Sequence, residues 1–265
     1  MRFSVNFILR GLFLIAVCAH CFCAVSCAPG EERGDGNTDE DLSENETDEN
    51  GAESPDDQSE REAAGPALKT NVYADSLTSV KYGSGAGFGQ DKLPNVVLGA
   101  PKLEGDYKGS TDVLSLGNGG EIVLEFSSGC VVDKEGDDFV VYENSFYVNG
   151  YADSPYIEAG VVSASEDGET WRVFPYRYDA DAAKAADKFV GMAGKNPYGD
   201  SFDLAAAGLA KARFIKITDA GKGENALRDE FGAFIDDAGN MSPCADMCGF
   251  DLDAVGAINF SADCR

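Results

Sequence analysis

Carboxylates gather at three places in the chain, each beside a Phe and a strand-like apolar run. Asp133–Asn144 reads DKEGDDFVVYEN, Gly199–Leu204 reads GDSFDL, and Gly249–Val255 reads GFDLDAV. Such oxygens are what a hard cation takes; calcium accepts about six to eight of them, from carboxylates, amides and carbonyls. The candidate ligands are Asp133, Asp138, Glu143, Asn144, Asp200, Asp203, Asp251 and Asp253. On a strand, Asp251 and Asp253 share one face and Leu252 takes the other. Carboxylates crowded beside core residues repel one another and are costly to desolvate. Few Lys or Arg are interleaved to neutralise them, and a divalent ion answers both problems. The expectation is one calcium-type cage that joins three distant segments. The plainer reading makes the same residues turn formers and strand-end caps, bonded to backbone amides. An EF-hand is excluded, because Asp138 stands where that loop requires glycine.

Other chemistries have less to work with. The one histidine, His20, falls in a signal-like segment, so the mature chain has no Ser-His-Asp or Cys-His constellation and no His-ligated zinc. The glycine-rich stretch Gly83–Gly89, GSGAGFG, lacks the lysine and helix of a phosphate loop. Paired carboxylates of the glycosidase kind occur by chance in so acidic a chain and carry little weight. Tyr147, Tyr151, Tyr156 and Tyr198 lie in loop text near the acidic segments and are candidates for ligand contact, with Tyr107 comparable. Trp171 follows a DG turn and is assigned to the core. A net charge of −26 argues against nucleic acid as a partner, since phosphate binding needs a basic face.

The elements that must position these residues follow in chain order. Residues 1–26 carry Arg2, Arg10 and the short apolar run Gly11–Val17, the pattern of a secretory signal. The segment closes on Ala24–Cys27, AVSC, which resembles a bacterial lipobox, with Cys27 the lipidated residue and Ala24 where leucine is usual. Ordinary signal cleavage near Ala28 is the alternative. Residues 27–65 form an acidic tether: Glu31–Glu62 holds fifteen Asp and Glu against Arg33 and Arg61. It has too little apolar surface to offset its ordering entropy, and its charges extend it. Residues 66–265 turn to β text, with NVVLGAP, TDVLSLG, EIVLEF, FVVYEN, GVVSAS, WRVFPY, RFIKIT and AVGAINF as short apolar runs between Gly, Asn and Asp clusters. Asn118-Gly119-Gly120 and Asp167-Gly168 read as hairpin turns. The alanine-rich Ala180–Phe189 reads as the only helix, an insertion. The fold class is all-β, a two-sheet antiparallel jelly-roll sandwich with a short helical insertion. Cys130, Cys244, Cys248 and Cys264 form an even set in an exported domain and imply two disulfides. Three pairings are open; Cys130–Cys264 across the sheet with Cys244–Cys248 as a loop staple is preferred.

VVLGAP, STDVLSLGNGGEIVLEF, VVDKEGDDFVVYENSF, VVSASEDGETWRVFP, GDSFDLAAAGLAKARFIKITD and GFDLDAVGAIN run in order from Asn95 to Asn259. Together they resemble the secreted "cell surface protein" domains of bacterial lipoproteins. SEDGETW and ARFIKI are also similar to discoidin-like, galactose-binding-like sandwiches. The loop Lys134–Asp137 departs from the family's proline-rich loop. The resemblance implies lipid anchoring in the outer membrane or at the surface of a Gram-negative bacterium. The function expected is a non-catalytic, calcium-stabilised binding or adhesion module whose partner is an extracellular glycan or surface protein. A carbohydrate-binding domain is the alternative, and a carboxylate-dependent glycosidase a third. Contact with membrane is expected through the lipid alone.

Overall fold

Short apolar runs bounded by Gly, Asn and Asp become short antiparallel strands. The computed structural model describes residues 66, 68–102, 109–148, 155–236 and 248–264. By its contacts the chain divides into Met1–Asp57 and Gln58–Arg265, and every described residue lies in the second unit. The expected signal segment, Cys27, the tether up to residue 65, Tyr107, Tyr151 and Cys244 lie outside the described residues. Among the described residues, no helix is long and apolar enough to cross a membrane.

The strands in chain order begin with β1 (Val72–Tyr73), β2 (Ser76–Lys81), β3 (Leu114–Ser115), β4 (Glu121–Glu125), β5 (Cys130–Val132) and β6 (Phe139–Glu143). Then come β7 (Phe146–Tyr147), β8 (Pro155–Tyr156), β9 (Gly160–Ser165), β10 (Arg172–Val173), β11 (Arg177–Tyr178) and β12 (Phe189–Val190). The last are β13 (Asp200–Phe202), β14 (Lys211–Ala212), β15 (Phe214–Asp219), β16 (Asp251–Ala257) and β17 (Phe260–Ser261). Two five-stranded antiparallel sheets make the sandwich: β1-β16-β6-β13 with β3 on β16, and β10-β9-β15-β4-β2. The core between them takes Phe139, Val141, Phe202, Leu252 and Val255 from the first sheet and Ile122, Leu124, Val162, Ala164, Ile215 and Ile217 from the second.

The sequence text follows from where each strand sits. β15 alternates half-buried and buried, as a strand with one wet face does. β6 and β16 are buried along their whole length, because Leu68 and Tyr73 pack against the smaller cluster that Val140, Tyr142 and Ala254 of their outer face form with Ile258. This is why FVVYE reads as a continuous apolar run. The Asp167-Gly168 hairpin between β9 and β10 forms as read, with Asp167 Oδ1 accepting from Glu169 N at 2.8 Å and Thr170 N at 2.7 Å. Asn118-Gly119-Gly120 does not close a hairpin; it carries the chain from β3 in one sheet to β4 in the other.

Two assignments change. NVVLGAP forms a 3-10 turn at Asn95–Val97, which tucks Val96 and Val97 into the core. The expected helix at Ala180–Phe189 reduces to a single 3-10 turn, Ala186–Lys188, inside the β11–β12 hairpin. An isolated helix needs about 12–15 residues even in good sequence. Here the ends are held together, Asp179 N donating to Lys188 O at 2.9 Å, and Phe189 is drawn against the ring of Tyr178.

Cys130 and Cys264 form a disulfide, as preferred from the sequence. It fastens the C-terminus to the small sheet β14-β5-β17. Cys248 is also disulfide-bonded.

Candidate functional site

Strand β6 separates the acids that the sequence groups together. Asp138 stands just before it and Glu143 ends it. At about 3.4 Å per residue these two positions are about 17 Å apart, whereas oxygens around one calcium lie within about 5 Å of each other. β13 runs antiparallel beside β6, so Asp203 falls at the Asp138 end and Asp200 opposite Val141, near Glu143. The eight candidates therefore do not form one cage. They divide among two ends of the strand pair and a bulge.

At the first end, Asp133, Asp138 and Asp203 each bring an oxygen within 4.8 Å of the others. Donors already serve two of them. Asp138 is fully buried and accepts from Lys134 N at 3.0 Å, Leu204 N at 2.9 Å and Asn259 Nδ2 at 2.8 Å. Asp203 caps the 3-10 turn Leu204–Ala207 through Ala205 N at 2.9 Å. This is the cap-and-turn role, in which the carboxylate satisfies orphan amides at loop ends.

At the second end the chemistry is different. Glu143 follows Phe139 and Val141 on the inward face, so it enters the end of the core and is 2% exposed. Its Oε2 has no hydrogen-bond partner, and neither has Oδ1 of Asn144. Burial, then the charges of Glu158, Asp251 and Asp200, push the Glu143 carboxyl well above its ordinary range. Asp200 is pushed up to about 6 by burial, against the pull of Lys195. Its Oδ2 accepts from Gly194 N at 2.8 Å and Lys195 N at 3.0 Å, and Lys195 Nζ lies 3.7 Å from Oδ1. Asp251 is raised to about 6 by burial, although Ser115 Oγ and the Asn144 side chain donate to it. Gly194, at φ +93°, allows the close approach: a Cβ there would run into the Glu158 carbonyl. Four buried carboxylates, those of Glu143, Glu158, Asp200 and Asp251, thus gather here, and Lys195 lies against Asp200.

Asp253 belongs to neither end. A register shift between Leu252 and Ala254 turns it away from Asp251, so the expected shared face is broken by a bulge. It accepts from Lys102 N at 2.8 Å, and burial, with Asp112 nearby, raises it to about 7.

Sequence reading missed Glu158 and Asp219. Glu158 precedes the apolar run of β9, and Asp219 ends β15; an acid abutting a buried strand was the available signal. Asp219 ties three loops together, accepting from Gly119 N, Gly221 N and Phe250 N, each at 2.8 Å. Trp171 is half-buried beneath the Lys216 ammonium, 4.1 Å from the ring centroid, and is not in the core. Its hairpin register leaves it on the outer face of the second sheet, where a half-exposed ring can stack on a cation.

Of the candidate tyrosines, Tyr147 and Tyr156 sit on the β7–β8 hairpin. Tyr156 stacks on Phe146 with centroids 5.2 Å apart, and Tyr147 lines a cavity of about 310 Å³ that Asp200 also borders. Tyr198 lies in the turn before β13, its N–H bonded to Asn196 Oδ1, and does not line that cavity. No protein-family model matches the chain, and no curated protein sequence matches it.

Proposed function

We propose that the chain is a non-catalytic, surface-anchored binding module whose β-sandwich is stabilised at one end by calcium. The observation that carries this reading is Glu143: a carboxylate 2% exposed, with one oxygen unpartnered, surrounded by Glu158, Asp200 and Asp251. A buried charge without a partner is expensive. A divalent ion would take the free oxygens of Glu143 and Asn144 and offset the repulsion among the carboxylates. The donors are oxygens throughout, which suits calcium over zinc or copper. General acid–base chemistry fits less well, since Glu143, at the centre of the group, is sealed from solvent. Anchoring at the surface rests on the signal-like segment, the lipobox-like AVSC and the acidic tether.

Thermal melting with calcium and with chelator tests the proposal. Calcium at about 100 times its Kd adds about 2.7 kcal/mol to the folded state, a rise of roughly 5–10 °C for a domain of this size. Glu143→Gln is expected to remove the calcium dependence and, at pH above the raised titration range of Glu143, to raise the melting temperature in chelator, because it deletes a buried carboxyl that ionises without a counter-charge. Identical melting of the unaltered protein in both conditions, with bound metal excluded by elemental analysis, would overturn it.

A further inference from the structure

The cavity beside Asp200 has a chemistry of its own. Its volume is about 310 Å³, at the small end of ligand pockets. Tyr147 and Pro155, cross-strand partners on β7 and β8, make one wall. Lys184 projects from the β11–β12 loop, and Lys195, Asn196 and Asp200 close the third side. In a chain of net charge −26, this small cavity sets two amines against one lining carboxylate, that of Asp200. Lys184 is exposed and makes no ion pair among the described residues. Lys195 spends its charge on Asp200 at 3.7 Å, and an ammonium has three donors, so it can serve a second acceptor.

We propose that this cavity binds a carboxylate-bearing sugar, with Lys184 and Lys195 on the acid group and Tyr147 and Pro155 against the ring. The inference deepens the binding-module reading and rests on it for the role, naming the class of ligand. Each wall contributes to the choice. An apolar wall suits the C–H face of a pyranose, whereas an inorganic anion would use the lysines alone. Asn196 and the Asp200 carboxylate offer a donor and acceptors for hydroxyls. Asp200 also sets the charge of the ligand: a carboxylate beside the amines repels a dianion such as phosphate more than a monoanion.

The test is calorimetric titration of the purified full chain in chelator, with galacturonate, which is a monoanion, with neutral galactose, and with inorganic phosphate at equal ionic strength. Galacturonate is expected to bind with Kd on the order of 1 mM, as a ligand of its size allows, and galactose and phosphate at least about tenfold more weakly. Lys184→Met, at an exposed position and with unchanged melting, is expected to weaken galacturonate about tenfold. Equal binding of phosphate and galacturonate, no galacturonate binding, or an unchanged affinity in Lys184→Met overturns the proposal. Because the titrations contain no calcium, their failure leaves any calcium-dependent melting shift intact, and loss of that shift leaves the titrations readable.

Discussion

At the scale of the residue, burial and the available donors divide acids that look alike in sequence. Asp138 is fully buried yet receives three donors, whereas Glu143 is buried with one oxygen receiving none. Asp253 is an intermediate case with a pH signature. Burial and Asp112 raise it to about 7, so the folded state holds its proton more tightly than the unfolded chain does. Stability from this group is therefore greatest in mild acid and falls as pH rises from the ordinary carboxylate range through about 7, by about 1.4 kcal/mol per unit. Asp253→Asn can keep the bond from Lys102 N and removes the titration. In chelator, its melting temperature should exceed that of the unaltered protein by more at about pH 8 than at about pH 4.5. A difference independent of pH would show that Lys102, Asp112 and Tyr142 accommodate the ionised carboxylate without cost. Sequence showed that Asp253 abuts a core strand; it did not show the bulge that parts it from Asp251, because a register shift is decided by pairing with β6.

At the scale of the element, the length of β6 decides how many sites there are. The sequence placed an acid at each end of FVVYE and made both ends apparent, but cage closure is a question of distance, and a five-residue strand holds its ends apart. The β text was legible because apolar runs and turn residues act locally. The Ala180–Phe189 segment was misread for the same reason: alanine favours helix locally, but the β11–β12 ends and the burial of Phe189 act from outside the segment. Of the ion candidates, Glu143, Asn144, Asp200 and Asp251 do come together, with Glu158 added, while Asp133, Asp138 and Asp203 form a separate group. The two ends should answer mutation differently. Asp138→Ala deletes the acceptor for Lys134 N, Leu204 N and Asn259 Nδ2 and strands the two backbone donors, while Nδ2 keeps the Asp137 carbonyl at 3.2 Å. It should cost about 3 kcal/mol or more, equally in calcium and in chelator. Urea unfolding in the two buffers measures this. A loss confined to the calcium buffer would instead make the Asp138 end an ion site.

At the scale of the whole molecule, the first strand pair and the last residues are held by different means. β1 lies on β16 within the first sheet, while the C-terminal residues are secured by β17 on β5 and by the Cys130–Cys264 bond. That bond spans 134 residues. Closing so long a loop in the unfolded chain removes entropy worth about 4–5 kcal/mol in the chain-entropy account. Just before β17, Asn259 Nδ2 donates to Asp138 and the Asn259 carbonyl accepts from Val132 N at 3.0 Å. Paired replacement Cys130→Ser and Cys264→Ser avoids leaving a lone thiol. It should lower unfolding free energy by about 2–5 kcal/mol, measured by urea titration. The loss should have a direction as well as a size. β17 has two residues and is an edge strand, so without the bond it should fray before the sandwich opens. Hydrogen exchange would then speed at Val132 far more than at Ile215 or Ile217 in the central strand β15. Uniform acceleration at all three amides would mean that the bond acts only through the unfolded chain, and that β17 needs no fastening to stay paired.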